Sequence, residues 1–212
     1  MNEPVQPSSL CFQTYTGRII DLLNPDPAKL SIVDIAHALS NQCRYAGHCK
    51  RFFSEAEHSF NASSLCQGPA QLAALLHDAV SAYFMAFITM DNPNGNDVDT
   101  DALYSMWKHA ILDRFSLEHP YHPSVMQACR ACLHHEARIL LPRPPEHFKP
   151  ISPPSPLTIG GALGCWVPCI AEQKFLERFV EVAPDRVFEQ SQEELKMRSA
   201  GVLHRRGKGA RP

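Results

Sequence analysis

An all-α fold is predicted by three observations. Apolar residues recur at helical spacing in several separate stretches, an extended or hairpin piece is expected only near the N-terminus, and seven of the eighteen prolines crowd between Pro142 and Pro156, clear of the helical stretches. With 212 residues the chain is long enough for one domain with its own core, plus extensions. Twenty basic against twenty-two acidic residues leave a formal net charge of -2, so no global field draws the chain to nucleic acid or membrane. No basic-then-apolar leader opens the sequence, and no window approaches the run of apolar residues needed to span a bilayer. A soluble, cytoplasmic protein without a membrane partner is therefore expected. In that setting the eight cysteines are expected to be reduced thiols, mostly buried as small apolar side chains.

Taken in order, residues 1–13 are polar and are read as a flexible N-terminus. From Thr14 to Pro27 a short hairpin or extended piece is expected, closed by Asn24-Pro25-Asp26-Pro27, a turn that helices avoid. Ser31 can cap a helix whose stripe is Ile32, Ile35, Ala36 and Leu39. Ser54 and Glu57 have the spacing of a capping box, which starts a second helix and puts His58 on its second turn. Gln71 to Phe84 is almost continuously apolar and is read as one helix buried at the centre of the domain. A polar Asp/Asn-rich loop over 91–101 follows. It fails the calcium-loop pattern, because the sixth position is Ala102 and the twelfth Lys108. Helices are predicted over Leu103 to Phe115 and Pro123 to Leu140. The main domain is thus drawn at 14–141, with a Pro-rich arm over 142–170. A C-terminal helix over 171–182, with Phe175, Leu176, Phe179 and Val180 on one face, is expected to dock back on the core. A tail over 183–212 ends in a basic, flexible run from His204 to Arg211.

A His-Asp pair inside a buried helix requires a reason. Glu57-His58-Ser59 is followed nineteen residues after His58 by Leu75-Leu76-His77-Asp78-Ala79. Neutral imidazoles and ionised carboxylates are what a divalent ion binds, and such an ion can generate a nucleophilic water near neutral pH. His58, His77 and Asp78 supply those donor types. The competing reading is a pair of buried histidines satisfied by hydrogen bonds. A second constellation, Cys129, Cys132, His134 and His135 with Cys165 and Cys169 later, resembles zinc-ligand spacing but lacks the turn that zinc ribbons use.

The residues around the trio widen the pattern. Thr16-Gly17-Arg18, Asp21-Leu22-Leu23-Asn24-Pro25, Ile35-Ala36-His37-Ala38-Leu39-Ser40, Cys43-Arg44-Tyr45-Ala46-Gly47-His48, Ala56-Glu57-His58-Ser59 and Ala73-Ala74-Leu75-Leu76-His77-Asp78-Ala79 together resemble phage and bacterial HD-domain phosphohydrolases. That group is similar to the 5'-deoxynucleotidases and deoxynucleoside triphosphohydrolases. The likeness is dense over about 14–84 and weaker through Arg114-Phe115, Glu136-Ala137-Arg138 and Phe175-Leu176-Glu177-Arg178-Phe179. It implies an HD-domain helical bundle, one divalent metal ion, a nucleotide or deoxynucleotide as partner, hydrolysis of its phosphate, and self-association into a homo-oligomer.

Carried over by position, the resemblance assigns His58, His77 and Asp78 as three metal ligands and places Cys129 where the family has a late Asp. Cys129 either ligates the ion, which then favours zinc over manganese, cobalt or magnesium, or simply fills the space. Glu136, seven residues further and roughly 10 Å along a helix, is not expected to substitute for it. Arg44 and His48 match the family's cationic groups near the substrate phosphate, although Arg44 can equally be read as a buried ion pair. Ser81 and Ala86 stand where such enzymes carry acidic residues, so no catalytic residue is assigned. Two readings stay open: a phosphohydrolase with a degenerate site, or an inactive relative that binds metal or nucleotide as a sensor or interaction partner. His37 is read as a hydrogen-bonded histidine of the core.

Overall fold

The computed structural model describes residues 10–89, 98–142 and 162–186. Most of the Asp/Asn-rich loop, nearly all of the proline cluster and the basic tail lie outside them. The described residues open with β1 (Cys11–Gln13) and β2 (Ile19–Asp21), an antiparallel pair in which Phe12 faces Ile20. The turn of this hairpin is not Asn24–Pro27, as expected, but residues 14–18. There Gly17 adopts a φ of +84° that residues with a Cβ avoid, and the Thr14 N–H donates to the Arg18 carbonyl at 2.9 Å. The Asn-Pro-Asp-Pro stretch leads instead into a 3-10 turn at Pro27–Lys29, capped by Asp26.

Helix α1 (Ile32–Asn41) starts at Ser31 as expected, with the Ser31 hydroxyl accepting from the Val33 N–H. Its buried Asp34 accepts both the N–H and the hydroxyl of Thr16 at 2.8 Å, which ties the hairpin turn to the helix. Helix α2 (Glu55–Ser64) is capped by Ser54, whose hydroxyl accepts from the Glu57 N–H. The reciprocal half of the capping box is absent, because the Glu57 carboxylate is used elsewhere.

The predicted helix over Gln71 to Phe84 is interrupted. It forms α3 (Ala70–Leu76) and α4 (Ser81–Thr89), joined by a tight turn over 77–80 in which Ala79, Ser81 and Ala82 bond three residues back instead of four. The interruption falls at His77-Asp78. By length and composition the run Ala70–Thr89 could cross a membrane, contrary to the sequence expectation, but half of it is buried in the protein. Its apolar character is accounted for by the core: Leu72, Leu75, Leu76, Ala79, Val80 and Tyr83 all pack there.

Three further helices complete the described fold: α5 (Thr100–Arg114), α6 (Pro123–Leu140) and α7 (Pro168–Val182). Helix α7 starts a turn earlier than expected because Pro168 suits the first helical position. In the main core Trp107 of α5 stacks on Tyr83 of α4 at 5.1 Å between ring centroids, and its indole N–H donates to the Leu22 carbonyl. Helix α7 lays Ala171, Phe175 and Phe179 into this same core. Full burial of each aromatic is worth roughly 1.5–3 kcal/mol. Buried Arg178 donates to the Ser63 hydroxyl and carbonyl of α2.

A smaller cluster decides where the site falls. Ala62 and Cys66, from α2 and just beyond it, meet Ala73 and Ala74 of α3 and Val125, Ala128 and Cys132 of α6. The side chains at this junction are mostly small, and interaxial distance depends on their size, so α6 can approach α2 and α3 closely. That approach brings Cys129 to the two histidines.

Candidate metal centre

His58 is fully buried on α2. Its Nδ1 lies 2.7 Å from Glu136 Oε1, and since a carboxylate only accepts here, Nδ1 carries the proton and Nε2 is left facing the other way. His77 reaches the same point from the end of α3. Its Nδ1 donates to the Ala74 carbonyl at 2.7 Å, which fixes the tautomer and leaves Nε2 buried with no hydrogen-bond partner among the described residues. The donor atoms of His58, His77 and Cys129 all lie within 4.8 Å of one another, with Cys129 Sγ 3.6 Å from His58 Nε2. Asp78 Oδ2 is 3.2 Å from His77 Nε2 and 3.7 Å from His58 Nε2. The structure therefore brings together His58, His77, Asp78 and Cys129.

Of these, His58, His77 and Cys129 form a group able to hold a metal ion, with Asp78 beside the two imidazoles. Two imidazoles whose far nitrogens are occupied by a carboxylate and a backbone carbonyl are arranged as metal-ligating histidines are. An orphaned, buried imidazole nitrogen costs free energy unless something binds it. Charge points the same way: with both imidazoles neutral and the carboxylates ionised, the Arg44 cation faces Glu55, Glu136 and Asp78, an excess of two negative charges that a dication offsets.

Without an ion the site is an ionic cluster. Burial opposes a charge on His58, but Glu136 and Cys129 outweigh it and push the imidazole up to about 10. Burial likewise disfavours a Cys129 thiolate, yet the two histidines bring it down to about 6. Asp78 and Glu136 are held below the usual carboxylate range despite their burial, the first chiefly by His77 and His58, the second by His58 and Arg44.

Arg44 sits at the edge of this cluster. It bonds Glu55 through Nη1, lies 3.0 Å from Glu136 Oε2 through Nε, and is 3.8 Å from Asp78 Oδ2. Burial opposes its charge, but Glu136, Glu55 and Asp78 more than compensate, so it stays protonated. His48 is exposed at the end of a 3-10 turn, with its N–H on the Tyr45 carbonyl, and takes no part in the contacts that hold the cluster together.

Two buried glutamates have no site role in the sequence reading. There Glu136 is not expected to replace Cys129, because it lies two turns further along the helix. Two turns return to nearly the same face of α6, and Glu136 meets the far side of His58, as an orienting group and not as a substitute for Cys129. Its sequence signal was a charge in the apolar part of a helix. Glu57, read only as part of a capping box, is fully buried and accepts the backbone N–H groups of Cys165 and Trp166 at 2.9 and 2.8 Å. It anchors the segment that leads into α7.

Other expectations resolve as follows. Cys132 groups with His58 and Glu136 as a second, fully buried donor set that shares His58. His134, His135, Cys165 and Cys169 join neither set among the described residues. His37 is half-buried, stacked 3.7 Å from Tyr15 and bonded to Glu172 at 3.1 Å.

No family model matches the chain. The uncharacterized protein YfdR of Escherichia coli (strain K12) is 41% identical to it over 73 residues, which make up 34% of this chain and 40% of that protein. The chain thus spans well under half the length of this curated relative.

Proposed function

We propose that this chain is an HD-type helical domain whose site, His58, His77, Asp78 and Cys129, holds one divalent ion and hydrolyses a nucleotide or deoxynucleotide phosphate. The observation that carries the metal is the convergence of two Nε2 atoms and a thiol sulfur within 4.8 Å, one of the nitrogens orphaned and buried. The Cys129 sulfur favours zinc. Nucleotide phosphate as the substrate rests on the likeness of residues 14–84 to HD phosphohydrolases. When bound, such an ion polarises phosphoryl oxygen and lowers the pKa of a bound water. The chain's own contribution is positional: Glu136 holds the His58 tautomer, the Ala74 carbonyl holds that of His77, and Arg44 lies against Glu136 and Asp78.

A second reading, a domain that binds metal or nucleotide without turnover, is favoured by one observation. The Arg44 guanidinium is already engaged by three carboxylates, and Ser81 and Ala86 supply no acid or base. Metal analysis of protein purified without chelator, together with phosphate and pyrophosphate release from a panel of nucleotides, separates the two. About one zinc per chain with release supports the enzyme. Zinc without release, accompanied by a nucleotide-dependent rise in melting temperature, supports the binder. Neither metal nor nucleotide effect removes both.

A further inference from the structure

Two thiols outside the metal cluster lie in contact. Cys43 Sγ and Cys49 Sγ are 3.5 Å apart, and both residues are partly exposed. Between them Tyr45, Ala46 and Gly47 take φ values of +54°, +50° and +82°. Tyr45 and Ala46 carry a Cβ, so this left-handed run is held by its surroundings and not by local preference. Its two ends are anchored: the Arg44 N–H donates to the Phe53 carbonyl and the Lys50 N–H to the Leu140 carbonyl, each at 2.9 Å, and Cys43 is bridged to Ser54. The two sulfurs are thus held together by the fold.

We propose that Cys43 and Cys49 form a dithiol redox site that takes a small-molecule disulfide as oxidant and closes into an intramolecular disulfide around Arg44. One cysteine, as its thiolate, attacks the S–S bond of the oxidant, forms a mixed disulfide and releases one small thiol. The second cysteine then attacks the protein sulfur of that mixed disulfide, forms the Cys43–Cys49 bond and expels the second small thiol. Both cysteine protons leave on the departing thiols, the protein pair loses two electrons, and the oxidant gains them. A disulfide bond is about 2.05 Å long, so the sulfurs close by roughly 1.5 Å, a movement within reach of side-chain rotation. Arg44 lies inside the resulting ring, so oxidation fixes the backbone of the residue that pairs with Glu55 and Glu136.

The test uses the full chain equilibrated with mixtures of oxidised and reduced glutathione, quenched in acid, alkylated and digested with trypsin. Trypsin cuts after Arg44 and so places the two cysteines on separate peptides. The expected product is those two peptides joined, lighter by two hydrogens than their sum, at a glutathione ratio at which the other six cysteines still alkylate. The oxidised chain is expected to melt above the reduced one, and Cys129→Ser, which removes the thiol of the metal cluster, is expected to leave the linkage intact. Glutathione adducts that never resolve into the linkage, another cysteine pair forming first, or an oxidised chain that melts below the reduced one would each overturn the proposal.

Discussion

Glu136 Oε1 accepts the Nδ1 proton of His58 at 2.7 Å, and neither side chain has any exposure to solvent. Each partner of this deep pair faces a further charged or polar group on its other side. Glu136 has Arg44 at 3.0 Å, and His58 turns Nε2 toward Cys129 and Asp78. Removing one member of such a pair leaves an uncompensated buried charge, which costs about 3–5 kcal/mol.

Glu136→Gln retains the shape of the side chain and removes the charge that orients His58. Zinc affinity, read by competition with a chromophoric chelator, is expected to fall ~10- to 100-fold, as for other groups that orient metal-ligating histidines. Affinity unchanged in a folded variant would show that Glu136 does not serve the site.

The metal-free chain is expected to lose stability in alkali. His58 in the folded state is pushed up to about 10, against about 6.5 when unfolded, so the folded state keeps its proton longer. The stabilisation is complete below about pH 6.5 and is lost as pH rises from there through about 10. Glu136 and Asp78, both held low, act in the opposite direction, and their contribution is lost as pH falls below the ordinary carboxylate range. Cys129, brought down to about 6 against about 8.5 when unfolded, gains stabilisation over part of the same range and offsets His58 there. Urea midpoints of chelated Cys129→Ser protein should therefore fall on both sides of neutrality, with the alkaline limb flattened when Glu136→Gln is added. A level alkaline limb in Cys129→Ser contradicts the His58 assignment.

Cys129→Asp exchanges a soft sulfur for a hard oxygen. Preference is expected to move from zinc toward manganese or magnesium, measured by metal content after dialysis against an equimolar mixture. With Ser81→Glu added, phosphate release from nucleotides is expected to rise ~10²-fold over the wild type, the lower end of what general acid–base catalysis supplies. No rise despite full metal loading would leave the missing carboxylate without a role.

Glu57→Gln keeps an acceptor for one of the Cys165 and Trp166 N–H groups and turns an amide toward the other. The cost is expected to be about 1–3 kcal/mol in unfolding stability. Faster chymotryptic cleavage after Leu163 and Trp166 is expected, with zinc affinity unchanged. A loss of zinc affinity equal to that of Glu136→Gln would place Glu57 in the site instead.

Phe175→Ala tests whether α7 is part of the core. Truncation of a fully buried aromatic is expected to cost about 3–5 kcal/mol and to lower a single cooperative melting transition. Two separate transitions would mark α7 as an independent appendage.

The sequence by itself determined the helices whose apolar stripe and cap coincide. Ser31 and Ser54 open α1 and α2 as read, and α6 runs from Pro123 to Leu140 as predicted. It also supplied the donor types of His58, His77 and Asp78. Local pattern could not locate the hairpin turn, because Gly17 and the contact from Asp34 decide it over Asn24-Pro25-Asp26-Pro27. Nor could it show that the helix breaks at His77-Asp78, since an apolar run has the same composition whether it bonds three or four residues back. Tertiary structure alone decided what each polar group meets. The mostly small side chains between α2, α3 and α6 let Cys129 reach the histidines, two helical turns put Glu136 behind His58, and the path of the chain before α7 gave Glu57 two backbone N–H groups to hold. Hydrogen-bond partners 71 to 109 residues apart leave no periodicity in the sequence, so only the packed fold reveals them.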